Sequence, residues 1–189
     1  MNWANLNWTA IIIVAVILLI VLFAARIYNK LVAFSVRVDN GWSQIDVQLK
    51  KRFDLIPNLV ETVKGYAAHE KTTLEEVTKW RSAAMSSKTP EEAMENNQKL
   101  SKAIVNLFAT AEQYPDLKAN QNFLDLQAQL REIESKIAIS RQFYNDTVMK
   151  YNEYVIRFPS NLFAAMFHFT QRKYFEMDEA EKAVPQVKF

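Results

Sequence analysis

The stretch Arg52–Val60, RFDLIPNLV, decides how the chain is read. It carries a proline at its centre and an arginine in line with apolar residues, so it either breaks a helix or belongs to one. The flanking apolar residues settle the phase. Leu31, Phe34, Val38, Trp42, Ile45 and Leu49 lead into it, and Ile56, Leu59, Val63 and Tyr66 lead out, in alternating steps of three and four. Only Arg52 interrupts the series. A stride near 3.5 held this long is the signature of a coiled-coil-like helix packed in a bundle. The register passes through Pro57 unchanged. Proline removes the hydrogen bond to the carbonyl four residues earlier, here Phe53, so Pro57 is expected to bend this helix rather than end it. Asn40-Gly41 also falls inside the stripe without resetting it, which makes Gly41 a helical residue.

Further along the chain the same logic yields three more helices. Thr73-x-x-Glu76 reads as a capping box opening a helix with Leu74, Val77 and Trp80. Thr89 followed by Pro90, Glu91 and Glu92 reads as N-cap, first helical position and dipole-complementing acids. The helix it opens shows Ala93, Asn97, Leu100, Ile104, Leu107 and Ala111, and stops at Tyr114-Pro115. A last long stripe runs from Phe123 through Leu126, Leu130, Ile133, Ile137, Ser140, Tyr144, Val148, Tyr151 and Val155 to Phe158, before Pro159. The expected helices span about 27–66, 73–87, 90–113 and 118–158. The fold class is all-α, an N-terminal transmembrane helix followed by an elongated antiparallel four-helix bundle with coiled-coil-like packing.

Composition agrees. The 189 residues include two glycines, five prolines and no cysteine, with a formal net charge of +2. So few glycines argue against strand-rich folds, phosphate loops and nucleophile elbows. The missing cysteine excludes disulfides, thiolate metal sites and a cysteine nucleophile. Interspersed charges leave no basic stripe for nucleic acid.

Residues 1–26 form a tail and anchor. Thr9–Ala25, TAIIIVAVILLIVLFAA, carries no charge. At 1.5 Å per residue it is about 25 Å of helix against a hydrocarbon core of about 30 Å. Trp3 and Trp8 before it, and Arg26, Tyr28 and Lys30 after it, are residue types suited to the headgroup layer. An uncharged MNWANLNW and no small-x-small exit argue against a cleaved signal peptide. Arg26, Lys30 and Arg37 place the C-terminal domain in the cytoplasm, with the chain a single-pass protein of the inner or plasma membrane.

An up-down-up-down bundle returns residue 158 to the bilayer. The following segment, 159–176, carries Leu162, Phe163, Met166, Phe167 and Phe169, then Arg172 and Lys173. It is either a membrane-interfacial contact or a cap packed under the bundle. The polar tail 177–189 is expected to be disordered.

Candidate chemistry is sparse. His69 and His168 fit no metal-binding spacing, and no metal or cofactor is expected. Carboxylates such as Glu132 and Glu134 fall on the polar face. The seams hold more interest. Arg52 and Ser140 occupy stripe positions with Arg141 beside Ser140, while Asn58, Asn145 and Asn152 sit one position off. Arg52 can extend its head to solvent, join Ser140 and Arg141 in a polar layer that fixes register, or line a ligand notch, in that order. Asp46, Asp54 and Asp146 are candidate partners for it. Trp42, Trp80 and Phe108 are either core or an exposed contact.

Three stretches carry a resemblance: RFDLIPNLVETVKGYAAHE (52–70), LQAQLREIESKIAISRQFYNDTVMKYN (126–152) and RFPSNLFA (157–164). With the N-terminal anchor they resemble the LemA family of bacterial membrane proteins, over about residues 8–176. The resemblance implies a one-span anchor, a largely antiparallel four-helix domain and, for most members, no assigned enzymatic activity. The expected function is a non-enzymatic, membrane-anchored scaffold that recruits a protein partner or self-associates. The alternative is a sensor-like module binding a small ligand between helices, and a pocket lined by Arg52 and Arg141 would favour it.

Overall fold

A computed structural model describes residues 8–175; Trp3 and the polar tail 177–189 lie outside the described residues. Those described are helical or irregular, with no strand among them. Helix α1 spans Trp8–Lys64, α2 Lys71–Met85, α3 Pro90–Ala111, α4 Pro115–Lys118, α5 Gln121–Ile156 and α6 Ser160–Met166. The described residues fall into two compact units. One comprises those up to Asp39 together with Asp146–Arg172; the other comprises Asn40–Asn145 together with those from Lys173 on.

In the first unit α1 begins with exposed apolar residues. From Trp8 to Phe23 no side chain is buried, which is the reverse of a soluble core helix. Burial starts at Ile27, Leu31 and Val38, on the same stripe that faces buried Val148, Tyr151 and Val155 of α5. Phe34 meets Tyr154 edge-on with ring centroids 5.4 Å apart, and the Lys30 ammonium lies 4.8 Å from the Tyr154 centroid. The segment 159–175 is not one continuous helix. After α6, His168 adopts φ 59° and closes it in the left-handed conformation. The amide of Phe169 donates to Ala164 O and that of His168 to Ala165 O, which satisfies carbonyls a helix end otherwise leaves unpaired. Phe163 packs on Phe23 of α1, with centroids 6.5 Å apart, and Phe167 and Phe169 pack on Tyr28 at 4.8 and 6.0 Å. Leu162, Met166, Phe167, Arg172 and Lys173 remain exposed.

From Thr170 to Phe175 the chain has no regular secondary structure, and two Tyr-Asn pairs of α5 hold it. In the first unit Asn152 both donates to Arg172 O and accepts from Arg172 N at 2.8 Å, and the Tyr151 hydroxyl donates to Thr170 O at 2.9 Å. Burial raises the Tyr151 phenol above its ordinary value, so it stays a donor across the neutral range. In the second unit Asn145 clasps Phe175 in the same way, at 3.0 and 2.8 Å, and Tyr144 donates to Lys173 O at 3.1 Å. An asparagine amide thus replaces the strand partner an extended segment lacks.

The second unit buries Ile45, Leu49, Ile56, Leu59 and Val63 of α1, Leu74 and Val77 of α2, Leu100, Ile104 and Leu107 of α3, and Leu126, Leu130, Ile133 and Ile137 of α5. Here α1 and α5 run antiparallel, since Trp42 meets Tyr144 while Arg52 meets Glu134. The stripe on α1 ends at Val63; Tyr66 is exposed in the turn after it, where its hydroxyl accepts from Asn120. Thr89 caps α3 by accepting from the Glu92 amide. At α2 the expected capping box is corrected. The helix begins at Lys71 with Glu70 as N-cap and no side-chain cap, so Thr73 already lies in its first turn.

Helix α1 runs through Pro57 without interruption. Proline leaves the Phe53 carbonyl without its helical donor, and the guanidinium of Arg81 on α2 supplies one: Nε donates to Phe53 O at 2.8 Å. Two elements are joined at the point where one lost a bond. Arg81→Met should cost about 1 kcal/mol by leaving that carbonyl unpaired. In a Pro57→Ala background the cost should fall toward zero, because residue 57 regains its N–H. Urea denaturation of the four chains of this cycle measures the coupling, and additive effects would refute the compensation.

Candidate functional site

Arg52 sits in the packed stripe on α1, only 1% exposed. Burying a guanidinium costs several kcal/mol unless its N–H groups are met. The sequence sets acceptors on two other helices of the same unit. Asn97 stands at a stripe position of α3, 3% exposed, and accepts from Nη2 through Oδ1 and, at 3.4 Å, through its backbone carbonyl. Asn97 is in turn fixed by donating to Ala93 O at 2.7 Å. Ser101, one turn on, accepts from Nη1 at 2.8 Å. Glu134 of α5 accepts from Nη1 at 2.7 Å, with its side chain 40% exposed. Nε finds no acceptor.

Two expectations are thereby corrected. Arg52 does not send its head to solvent, because Asn97, Ser101 and Glu134 hold it inside. Its carboxylate is Glu134, which the pattern places on the solvated face, and not Asp46, Asp54 or Asp146. Of the residues expected in one polar layer, Arg141 lines the same groove as Arg52, whereas Ser140 is half-buried and does not line it. Trp42, Trp80 and Phe108 are neither core nor fully exposed. All three are half-buried, with Trp42 between Tyr144 and Phe175, and Trp80 between the ammoniums of Lys79 and Lys99.

The groove beside Arg52 has a volume of about 470 Å³. Its walls combine Leu49, Val105 and Ile137 with Lys102, Arg141 and Glu134, and Phe175 lies along one edge. The Arg141 guanidinium rests 5.7 Å from the Phe175 ring centroid. This arrangement offers fixed positive charge and apolar surface. It contains no nucleophile paired with a base.

A sequence model of the LemA family matches residues 41–189, most of the chain. The chain belongs to the LemA family. A relative described as Protein LemA, from Metamycoplasma hominis, is 25% identical over 158 residues, covering 82% of this chain and 71% of its own. Two magnetosome proteins of Paramagnetospirillum magneticum, MamQ 1 and MamQ 2, are each 31% identical over 74 residues, 39% of this chain and 27% of theirs. The stretches that carry the LemA resemblance now have physical accounts in this chain. Arg52 and Pro57 are each satisfied by a neighbouring helix. Tyr144-Asn145 and Tyr151-Asn152 hold the chain after α6. Ser160 caps the end of α5 by donating to the carbonyls of Tyr154 and Arg157 at 2.6 and 2.9 Å.

Asn97 and Ser101 were missed as site residues, although a polar residue at a stripe position on a second helix was a usable signal. Asn97→Leu should cost about 1–3 kcal/mol, because it removes the side-chain acceptor of a buried cation's Nη2. Adding Arg52→Leu should recover most of that loss, since an apolar replacement of a buried polar cluster is often neutral. Chemical denaturation of the single and double variants reads the difference. Equal and additive losses would show that the cluster does not act as a unit.

Proposed function

We propose that the chain is a membrane-anchored helical scaffold without enzymatic activity, held in the inner or plasma membrane by one span, with its helical body in the cytoplasm. The observation that carries this is α1. A single helix begins with an exposed, wholly apolar run and continues into a stripe that packs, and among the described residues it alone is long and apolar enough to cross a membrane. Arg26, Lys30 and Arg37 support the cytoplasmic side for the helical body. The alternating threes and fours on α1 and α5 support coiled-coil-like packing, with α2 and α3 completing an antiparallel four-helix bundle.

The partner is a protein or a second copy. Ile139 and Phe143, one turn apart on α5, are 66% and 46% exposed and offer an apolar ridge. The segment around α6 adds a contact with the membrane surface. Exposed Leu162, Met166 and Phe167 accompany Phe163, which packs on Phe23 near the end of the apolar run, and Arg172 and Lys173 come next for anionic headgroups. A second reading, a sensor-like module with a ligand between helices, is favoured by the groove that Arg52 and Arg141 share.

Cross-linking in native membranes followed by sizing should give a discrete homo-oligomer or complex that Ile139→Ser with Phe143→Ser weakens; a monomer throughout would sink the scaffold. A chain lacking residues 1–25 should still bind anionic vesicles, and Leu162→Asp with Phe167→Asp should abolish that binding. No affinity of the shortened chain for such vesicles would remove the interfacial contact.

A further inference from the structure

We propose that the corner between α5 and α6 is a wedge inserted among the lipid acyl chains of the leaflet beside the helical body, and that it draws the chain toward convex membrane. This rests on the membrane-contact reading above and gives that contact a depth and a consequence.

The side chains that α6 turns inward tell a wedge from a cap. A cap packed on protein buries its large apolar side chains. Here the buried residues of α6 are the small ones, Ser160 and Ala164, while Leu162 and Met166 are each 60% exposed. Ile156 and Phe158, before the corner, are 61% and 75% exposed, so large apolar residues face outward on both sides of it. No charged side chain stands between Arg157 and Arg172, a stretch too short to span but of the length of an interfacial or re-entrant segment.

Phe23 fixes the depth. It lies three residues before Arg26, about 4.5 Å inside the first charge after the apolar run. Helical side chains lean toward the N-terminus, so its ring reaches deeper still. Phe163 meets that ring with centroids 6.5 Å apart, and Phe167 meets Tyr28, beyond Arg26, at 4.8 Å. Helix α6 therefore straddles the level of Arg26, with Phe163 on the hydrocarbon side. Insertion also requires backbone groups to be met without water. The Ser160 hydroxyl donates to the carbonyls of Tyr154 and Arg157, and the amides of Asn161, Leu162, Phe167, His168 and Phe169 donate to carbonyls between Arg157 and Ala165.

The flanking cations already have acidic partners. Arg157 pairs with Glu153, and Arg172 Nη2 lies 3.6 Å from Asp39 Oδ1. Apolar area, more than lipid charge, then holds the corner. A shallow apolar insertion into one leaflet finds room where headgroups are spread, on a convex surface.

The chain has no cysteine, so single spin labels can report depth in the full chain reconstituted into phosphatidylcholine vesicles. Labels at Leu162→Cys and Met166→Cys should be relaxed more by oxygen than by a nickel chelate, as at Ile17→Cys in the apolar run and opposite to exposed Met85→Cys on α2. Nickel ahead of oxygen at either corner position overturns the insertion, while the surface contact still stands if the chain lacking residues 1–25 binds anionic vesicles. In giant vesicles carrying the full chain with its helical body outward, the chain should be enriched in a pulled membrane tube relative to the parent vesicle. Leu162→Asp with Phe167→Asp should abolish that enrichment while the span keeps the chain in the membrane, with helicity by circular dichroism checking its fold. Equal density in tube and vesicle, or enrichment that this variant keeps, overturns the preference for convex membrane.

Discussion

A guanidinium buried to 1% exposure has to find its acceptors inside the protein, and that constraint organises the second unit. Arg52 projects from α1, so α3 must bring Asn97 and Ser101 to its level and α5 must bring Glu134. A slide of one helical turn, about 5.4 Å, would separate every one of these pairs. Apolar neighbours do not impose this. A leucine stripe displaced by a turn meets another leucine stripe, with modest loss, whereas a displaced Arg52 loses Glu134 or one of its two acceptors on α3. The same helices could pack more stably around Leu at this position, but less uniquely.

The rule that a donor or acceptor removed from water must be met also explains the contacts that tie irregular segments down. Pro57 strips a bond from the Phe53 carbonyl, and Arg81 crosses from α2 to restore it. Among the described residues no strand lies beside the chain after α6, and the side-chain amides of Asn145 and Asn152 bond its backbone instead. In each case a side chain performs a backbone's task, and each bond links parts of the chain far apart in sequence. These contacts are few, and they carry specificity that the apolar stripes lack.

Much of this was legible in the residues, and the division follows range. The stripes on α1 and α5 and the Thr89 cap depend on neighbours within a few positions, so sequence spacing reports them. Arg52 stood out because it broke a stripe. Its partner did not, because Glu134 beside Ile133 has the same local pattern as Glu132, which pairs instead with Lys136 at 2.5 Å. Only the placement of α5 against α1 tells the two carboxylates apart. The residues around Thr170–Phe175 have no period to detect. Their holders did: Tyr-Asn occurs at 144–145 and again at 151–152, one heptad apart, a repeat that stripe counting passes over because it weighs only apolar positions. Thr73 misled for the opposite reason, since a good local cap signal lost to the turn that already starts α2 at Lys71.

The asymmetry of the Arg52 cluster bears on what it is for. A cluster that serves register alone has no need of an open side, because each bond is worth most when water is excluded. Here the α3 side is closed, with Asn97 buried and pinned to Ala93, and the α5 side is not: Glu134 meets the cation with one oxygen at the edge of a 470 Å³ groove. Exposure screens that ion pair and makes Glu134 the partner most readily exchanged. Asn97 and Ser101 hold Arg52 from the closed side, and Glu134 meets it from the open one.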